Sequence, residues 1–312
     1  MKYLITGGAG FIGSHLAEEL LKNSNFVCVY DDLSCGYESN LPVHESLVFI
    51  KKRIQDESLD KIGKLDGIFH LGAQASVPAS IENFYESSNN NLASSLKVFE
   101  IARQYDIPVV YASSSAIYGN LPLGDDEKPI YEILSPYAQD KLVLEQYAKL
   151  FFELYRISSI GLRFFNVYGP RQDPANPYSG VISVFIDRFL NKLPVTINGG
   201  YQTRDFIYIK DIITTMIRSM DLIKYSKVYD FINVGTGLPA TVDELYHKLC
   251  DIFNFKPDII YKPLPSSDPV KSSGTFNKLA KLLQVNKDEF CHIDNGLKQT
   301  VEYFKGIHNE KI

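Results

Sequence analysis

Several features are missing from this sequence, and each absence narrows what the chain can do. The four cysteines, Cys28, Cys35, Cys250 and Cys291, form no CxxC pair and show no metal-ligand spacing. That excludes a disulfide framework and a zinc site, and predicts reduced thiols in a cytoplasm. No stretch reaches the roughly 18 consecutive apolar residues that span a bilayer. The first strand pattern begins at Lys2, without a charged n-region or cleavage site before it, so export is not expected. Arginine is scarce, eight in 312 residues, and the formal net charge is -5. A surface of that kind excludes nucleic acid and anionic membranes as partners, and a small anion must be met by individually placed arginines. There is no internal repeat, low-complexity tract or long linker.

What the chain does have is apolar periodicity. With 45% hydrophobic residues, it is long enough for one large α/β domain carrying a smaller lobe. Tyr3–Thr6 reads as a short buried strand, Phe11–Lys22 as a helix and Phe26–Tyr30 as a second strand, which makes one βαβ unit. Further strands are expected near Leu47–Ile50, Gly67–Leu71, Ile107–Ala112 and Ser158–Leu162, with helices near Ser88–Gln104 and Pro136–Leu154. Apolar runs alternating with amphipathic helices predict a doubly wound parallel sheet of Rossmann type, covered on both faces. After residue 166 the beat breaks into Pro, Gly and Asn, as in "YGPRQDPANPYSG". We therefore expect a dinucleotide-binding domain over 1–170 and, over 171–312, a mostly substrate-binding mixed lobe, partly interleaved with the first and closing over it.

Gly7, Gly10 and Gly13 satisfy GxxGxxG, and Gly8, Gly10 and Gly13 satisfy GxGxxG, between the first strand and the first helix. In that position glycines permit a tight turn, a close backbone approach to a pyrophosphate, and close helix–strand packing. The second strand runs into "VYDDL", placing Asp31 18 residues beyond Gly13, near the spacing of an acid that bonds the ribose hydroxyls. A carboxylate there repels a 2′-phosphate, which favours NAD over NADP.

In "SPYAQDK", Ser135 reads as an N-cap and Pro136 as the first helical residue, so Tyr137 and Lys141 share one helix face. A phenol is a poor base at neutral pH until a nearby cation favours the phenolate. The spacing alone is weak, because such pairs arise by chance in a chain rich in both residues. The serine cluster of "YASSSAIYG", at the end of the strand starting at Ile107, adds context, since open parallel sheets bind ligands beyond the carboxyl ends of their strands.

"TGGAGFIGSH", "VYDDLS", "HLGAQASVPASI", "YASSSAIYG", "SPYAQDK", "LRFFNVYGPRQ" and "QTRDFIYIKD" follow in this order over most of the chain. Together they resemble the extended short-chain dehydrogenase/reductase family, and within it the nucleotide-sugar epimerases of the UDP-glucose and UDP-N-acetylglucosamine 4-epimerase type. The resemblance implies a catalytic set of Ser114, Tyr137 and Lys141. It implies that NAD is held by Gly7, Gly10, Phe11, Ile12, Asp31, Asp32, Leu33, Ser34, Gly36, Arg53, Ile54, Leu71, Gly72, Ala73, Gln74, Asn91, Tyr137, Lys141 and Phe164. It further implies that a UDP-hexose, an intermediate of polysaccharide biosynthesis, meets Ser113, Ser114, Ser115, Asn166, Val181, Ile182, Arg204, Asp268 and Ser272. No metal is implied, and a homodimer through helices around Leu92–Ile101 and Leu142–Phe151 is.

The expected activity is NAD-dependent epimerisation at C4, with UDP-GlcNAc and UDP-GalNAc as the favoured pair, with or without UDP-Glc and UDP-Gal. The alternatives are a 4,6-dehydratase or 4-reductase of the same family, and a non-catalytic dinucleotide-sensing protein. Family dehydratases and decarboxylases usually carry an acid shortly after the catalytic serine or threonine, where this chain has Ser115, Ala116 and Ile117. Two departures stand out. Arg53 precedes Ile54 where the family commonly has an adenine-binding Asp, and Pro265 takes the arginine's place in the family's Arg-Pro-Gly-Asp segment, leaving Arg171 or Lys271 as substitutes.

Overall fold

The computed structural model describes residues 1–58, 63–128, 130–176, 179–265 and 268–310. In chain order the strands and helices are β1 (Lys2–Thr6), α1 (Phe11–Lys22), β2 (Phe26–Asp31), β3 (Leu47–Lys51), β4 (Gly67–His70), α2 (Val77–Glu82), α3 (Phe84–Tyr105), β5 (Val109–Ser114), α4 (Pro136–Tyr155), β6 (Ser159–Phe164), β7 (Asn166–Tyr168) and α5 (Val181–Leu190). They continue with β8 (Val195–Asn198), β9 (Thr203–Arg204), β10 (Phe206–Tyr208), α6 (Ile209–Lys224), β11 (Tyr229–Val234), β12 (Ala240–Thr241), α7 (Val242–Phe253), β13 (Ile259–Lys262), β14 (Lys271–Ser272), α8 (Asn277–Leu283) and α9 (Ile293–Glu310).

Leu4 and Ile5 of β1 are fully buried, as expected of a strand covered on both faces. β1 pairs in parallel with β2 on one side and β4 on the other, Leu4 lying opposite Cys28 and Ile68. The seven-stranded parallel sheet runs β11-β6-β5-β4-β1-β2-β3. Chain order therefore reverses between β1 and β4, and this switch point is where a doubly wound sheet opens a crevice at the carboxyl ends of its strands. The core is built from this sheet and its helices, with Phe99 of α3 meeting Tyr111 of β5 edge-on at 5.9 Å.

The chain divides into two compact units. The first comprises 1–117, 133–163 and 213–232, and the second 118–132, 164–212 and 233–312. The contacts thus put 118–132 with the second unit and 213–232 with the first. The second unit holds the pairs β7–β10 and β8–β13 and the three-stranded set β12-β9-β14. Asp205, fully buried, ties the loop after β11 in place by accepting from Thr236 N at 2.9 Å, Thr236 Oγ1 at 2.7 Å and Gly237 N at 2.8 Å.

Candidate active site

The β1–α1 turn shows why its glycines are needed. Gly7 adopts φ +69°, and a Cβ there would stand 2.7 Å from Gly72 N; a Cβ on Gly13 would stand 2.2 Å from Gly7 O. Beside this turn lies a cleft in the first unit, lined by Gly7, Gly10, Asp31, Asp32, Ser34, Gly36, Arg53, Ile54, Leu71, Gly72 and Ala73 among the expected residues. Thr6, Tyr30, Cys35, Lys52, Gln55, Asn90 and Ser94 line it too, although no motif singled them out. Within the run Asn89–Asn91, the helix turns Asn90 to the cleft together with Ser94, four residues on. Asn91 is buried instead.

Asp31 ends β2 with both carboxylate oxygens engaged by backbone amides, Ala9 N at 2.9 Å and Leu33 N at 2.8 Å. Burial raises its pKa above the ordinary aspartate value, and these two amides pull it part of the way back. Asp32 accepts from Ser34 N at 3.0 Å and pairs with Arg53, whose Nε lies 3.0 Å from Asp32 Oδ2. A glycine turn free of side chains and an acid at the end of β2, both lining one cleft, suit a dinucleotide.

The second cluster lies on β5 and α4. Ser135 caps α4 through its side chain, which accepts from Ala138 N at 3.2 Å, and Pro136 opens the helix. Tyr137 and Lys141 then fall on successive turns, with Lys141 Nζ 5.7 Å from the Tyr137 ring centre. Ser114, the last residue of β5, stands beside the phenol and favours its ionised form. Burial pushes the Tyr137 pKa up while Ser114 pulls it down. Burial lowers Lys141 to about 8, against Asp140 and Glu145, which favour its charged form. Lys141 Nζ donates to Ala112 O at 2.8 Å. The resemblance implies that Lys141 depresses the phenol; in this structure burial raises the phenol pKa and the group that lowers it is Ser114.

Asn91 clamps this region from α3. Its Oδ1 accepts from Gln74 N at 2.8 Å, and its Nδ2 donates to Asp140 Oδ2 at 3.0 Å and to Gln74 O at 3.2 Å. The three serines separate in role. Ser113 is buried with its hydroxyl donating to Glu145, Ser114 faces the phenol, and Ser115 is half-buried and opens a short 3-10 turn. Phe11 and Ile12 begin α1 half-buried, Leu33 adopts φ +61°, and Phe164 is buried at the end of β6.

In the second unit, β14 pairs in parallel with β9, which sets Ser272 opposite Arg204. Arg204 forms an ion pair with Asp268 and donates to Thr203 O at 2.8 Å. Asn166 N donates to Asp205 O at 2.9 Å. Val181 is half-buried and Ile182 fully buried in the first turn of α5, where helix geometry leaves the backbone amides without intrahelical acceptors. Arg171 hydrogen-bonds Tyr303, and Lys271 is exposed on β14. Among the described residues no group of His, Cys, Asp or Glu could hold a metal ion, and no helix is long and apolar enough to cross a membrane.

Residues 3–235 match the NAD dependent epimerase/dehydratase family. The chain belongs to this family. It is 38% identical over 267 residues to a putative UDP-glucose 4-epimerase of Methanocaldococcus jannaschii, covering 83% of this chain and 84% of the relative. Two solved structures share the fold over nearly its whole length. The UDP-N-acetylglucosamine 4-epimerase from Methanobrevibacter ruminantium, in complex with UDP-N-acetylmuramic acid, is 36% identical with a TM-score of 0.91, covering 98% of each chain. The UDP-glucose 4-epimerase from Thermotoga maritima with UDP-glucose is 33% identical with a TM-score of 0.91, covering 98% of this chain and 99% of that one. The family is one of NAD-dependent enzymes, and these three relatives carry the names of UDP-sugar 4-epimerases.

Proposed function

We propose that the protein interconverts the C4 epimers of a UDP-hexose and that its site admits the N-acetylhexosamines UDP-GlcNAc and UDP-GalNAc. The observation that carries this reading is the buried Ser114, Tyr137 and Lys141 cluster on β5 and α4, with no carboxylate at 115–117. Such a site can move one proton at a hydroxyl, but it has no acid there to assist elimination of water.

The glycine turn and Asp31 of the first unit would hold NAD, which when bound would supply a hydride acceptor. Tyr137 Oη takes the proton of the sugar 4-hydroxyl as that carbon is oxidised, and gives it back after the 4-keto sugar has turned. To act as a base at neutral pH the phenol needs positive charge beside it, and Lys141 carries one below about pH 8. Ser114 hydrogen-bonds the same hydroxyl. For the nucleotide sugar, the residues we assign are Arg204 to the diphosphate, Asp268 to the ribose, and Asn166 and the first-turn amides of α5 to the rest. The small Ser272 leaves room for an acetamido group.

A homodimer through α3 and α4 accompanies this reading. Leu96 on α3 and Leu150 and Leu154 on α4 are exposed, at 38%, 43% and 61%, and offer apolar side chains to a second copy.

The test is incubation of purified protein with UDP-Glc, UDP-Gal, UDP-GlcNAc and UDP-GalNAc, with no added cofactor, followed by separation of the products. Epimer formation from the N-acetylated pair is expected. A dehydrated product or steady consumption of added NADH would replace this reading with a dehydratase or reductase.

A further inference from the structure

Beneath the Ser114, Tyr137 and Lys141 cluster lies a buried ion pair that the proposed chemistry does not use. Glu145 follows Lys141 by one turn of α4, and Arg163 lies on β6; their side chains are 3% and 0% exposed. Arg163 donates twice to the carboxylate, from Nε to Oε1 at 2.8 Å and from Nη2 to Oε2 at 2.6 Å. The guanidinium lies 3.8 Å from the centre of the Phe231 ring, and the Tyr229 hydroxyl donates to Glu145 O at 3.1 Å. Oε1 also accepts from Ser113 Oγ at 2.5 Å. A buried ion pair is not needed for stability, since apolar residues of similar volume often serve as well or better. Its placement is what calls for a reason.

Two successive residues of β5 are tied to two successive turns of α4: Ala112 O accepts from Lys141 Nζ at 2.8 Å, and Ser113 Oγ donates to Glu145. The next residue is Ser114. We infer that Glu145 is a positioning residue for the reaction: with its carboxylate held from behind by Arg163, it fixes Ser113 and so sets the distance between Ser114 on β5 and Tyr137 and Lys141 on α4. Proton transfer between a sugar hydroxyl, Ser114 and Tyr137 demands spacing of this kind, because misplacement by about 1 Å can cost about a hundredfold in rate. The carboxylate also acts on Lys141 through space, together with Asp140 on the same helix; Tyr137 on α4, His70 on β4, Tyr111 on β5, Arg163 on β6 and Tyr229 on β11 are the other titratable or charged groups facing Lys141 or Glu145.

This inference rests on the reading of Tyr137 as the acid/base, so Tyr137→Phe is the reference variant. Ser113→Ala removes the hydroxyl link and leaves the ion pair whole. The expected result is a kcat lower by about 10- to 100-fold, with the KM for the UDP-sugar, the content of bound NAD and the melting temperature close to wild type. Ser113→Thr, which keeps the hydroxyl, restores most of the rate. Glu145→Gln, measured on whatever fraction folds, shifts the alkaline limb of the kcat profile to lower pH, because Lys141 loses a neighbour that favours its charge. A Ser113→Ala variant with wild-type kcat beside an inactive Tyr137→Phe overturns the positioning role and leaves the acid/base reading intact. Activity lost only in proportion to unfolded protein, with an unmoved pH profile, overturns it as well. An active Tyr137→Phe instead removes the reading on which the inference stands.

Discussion

Thr6 Oγ1 lies 2.7 Å from His70 Nδ1 and also accepts from two backbone amides, Leu71 N at 3.2 Å and Gly72 N at 3.1 Å. With its lone pairs so engaged, the hydroxyl proton goes to Nδ1, and the imidazole carries its own proton on Nε2. Nε2 faces Ser95 Oγ at 3.0 Å, and that hydroxyl donates onward to Asn91 O at 2.6 Å. A neutral His70 thus connects the glycine turn to the helix that clamps Gln74 and Asp140.

Burial lowers the His70 pKa to about 3, and the positive charge of Lys141 adds to the effect. In the unfolded chain the same group titrates near 6.5. Between these values the unfolded chain holds a proton that the native protein does not, so stability rises with pH across this window. The contribution is complete above pH 6.5 and is lost as pH falls toward 3. His70→Asn, which keeps an acceptor for Thr6, should lose less stability than wild type on going from pH 7 to pH 4. The difference should be on the order of 3 kcal/mol, measurable by urea unfolding at both pH values. Parallel losses in the two proteins would contradict the neutral imidazole.

Tyr137→Phe removes the phenolic oxygen and keeps the ring that packs in the site. General acid-base groups contribute about 10²- to 10⁴-fold, and kcat should fall by at least that much while bound NAD is retained. Turnover assays paired with spectrophotometric cofactor content check both halves.

Asp31→Ala takes away the carboxylate that stands in the cleft and the acceptor of Ala9 N and Leu33 N. Each charge-assisted hydrogen bond is worth about 1.5 to 3 kcal/mol. NAD affinity should drop by about 10- to 100-fold, and the preference over NADP should narrow because the repulsion of a 2′-phosphate is gone. Titration of cofactor-free protein with both dinucleotides would reveal this, and unchanged affinities would remove Asp31 from the ribose site.

Ser272→Tyr places a ring beside Arg204, in the β9–β14 pair of the second unit. If Ser272 leaves the space for an acetamido group, the larger side chain should suppress UDP-GlcNAc and UDP-GalNAc conversion by about 1 to 3 kcal/mol of overpacking. UDP-Glc and UDP-Gal turnover, where the wild type shows it, should survive. Undiminished N-acetylhexosamine activity in the variant would place the specificity elsewhere.

The local parts of this molecule are legible in its sequence. The glycine turn, Asp31 at the end of β2 and the Tyr137/Lys141 helix face follow from spacing alone, because each depends on residues within one βαβ unit or one helix. Helix α3 begins at Phe84 rather than Ser88, and β5 runs from Val109 to Ser114, two residues later than the apolar run predicts. The Thr6–His70–Ser95 and Ser113–Glu145–Arg163 networks were not legible. Their bonded partners lie up to 64 residues apart, and only tertiary pairing brings them together. Neither did the sequence distinguish Asn90 from Asn91, since a run of three asparagines hides the rotation of the helix. β11 went unread for a similar reason: Tyr229–Val234 follows the irregular region and becomes a strand by pairing beside β6.

That last strand has a consequence for how the protein is made. The sheet of the first unit is closed on one side by a segment synthesised only after residue 228. Until then a nascent chain carries β6 as an open edge, with unpaired backbone groups that invite pairing with another chain. A fragment ending at residue 170 should therefore be recovered mainly in aggregates, even though it contains the glycine turn, Tyr137 and Lys141. Birth on the ribosome thus exposes the molecule at this seam, and assistance from a chaperone would be needed there first.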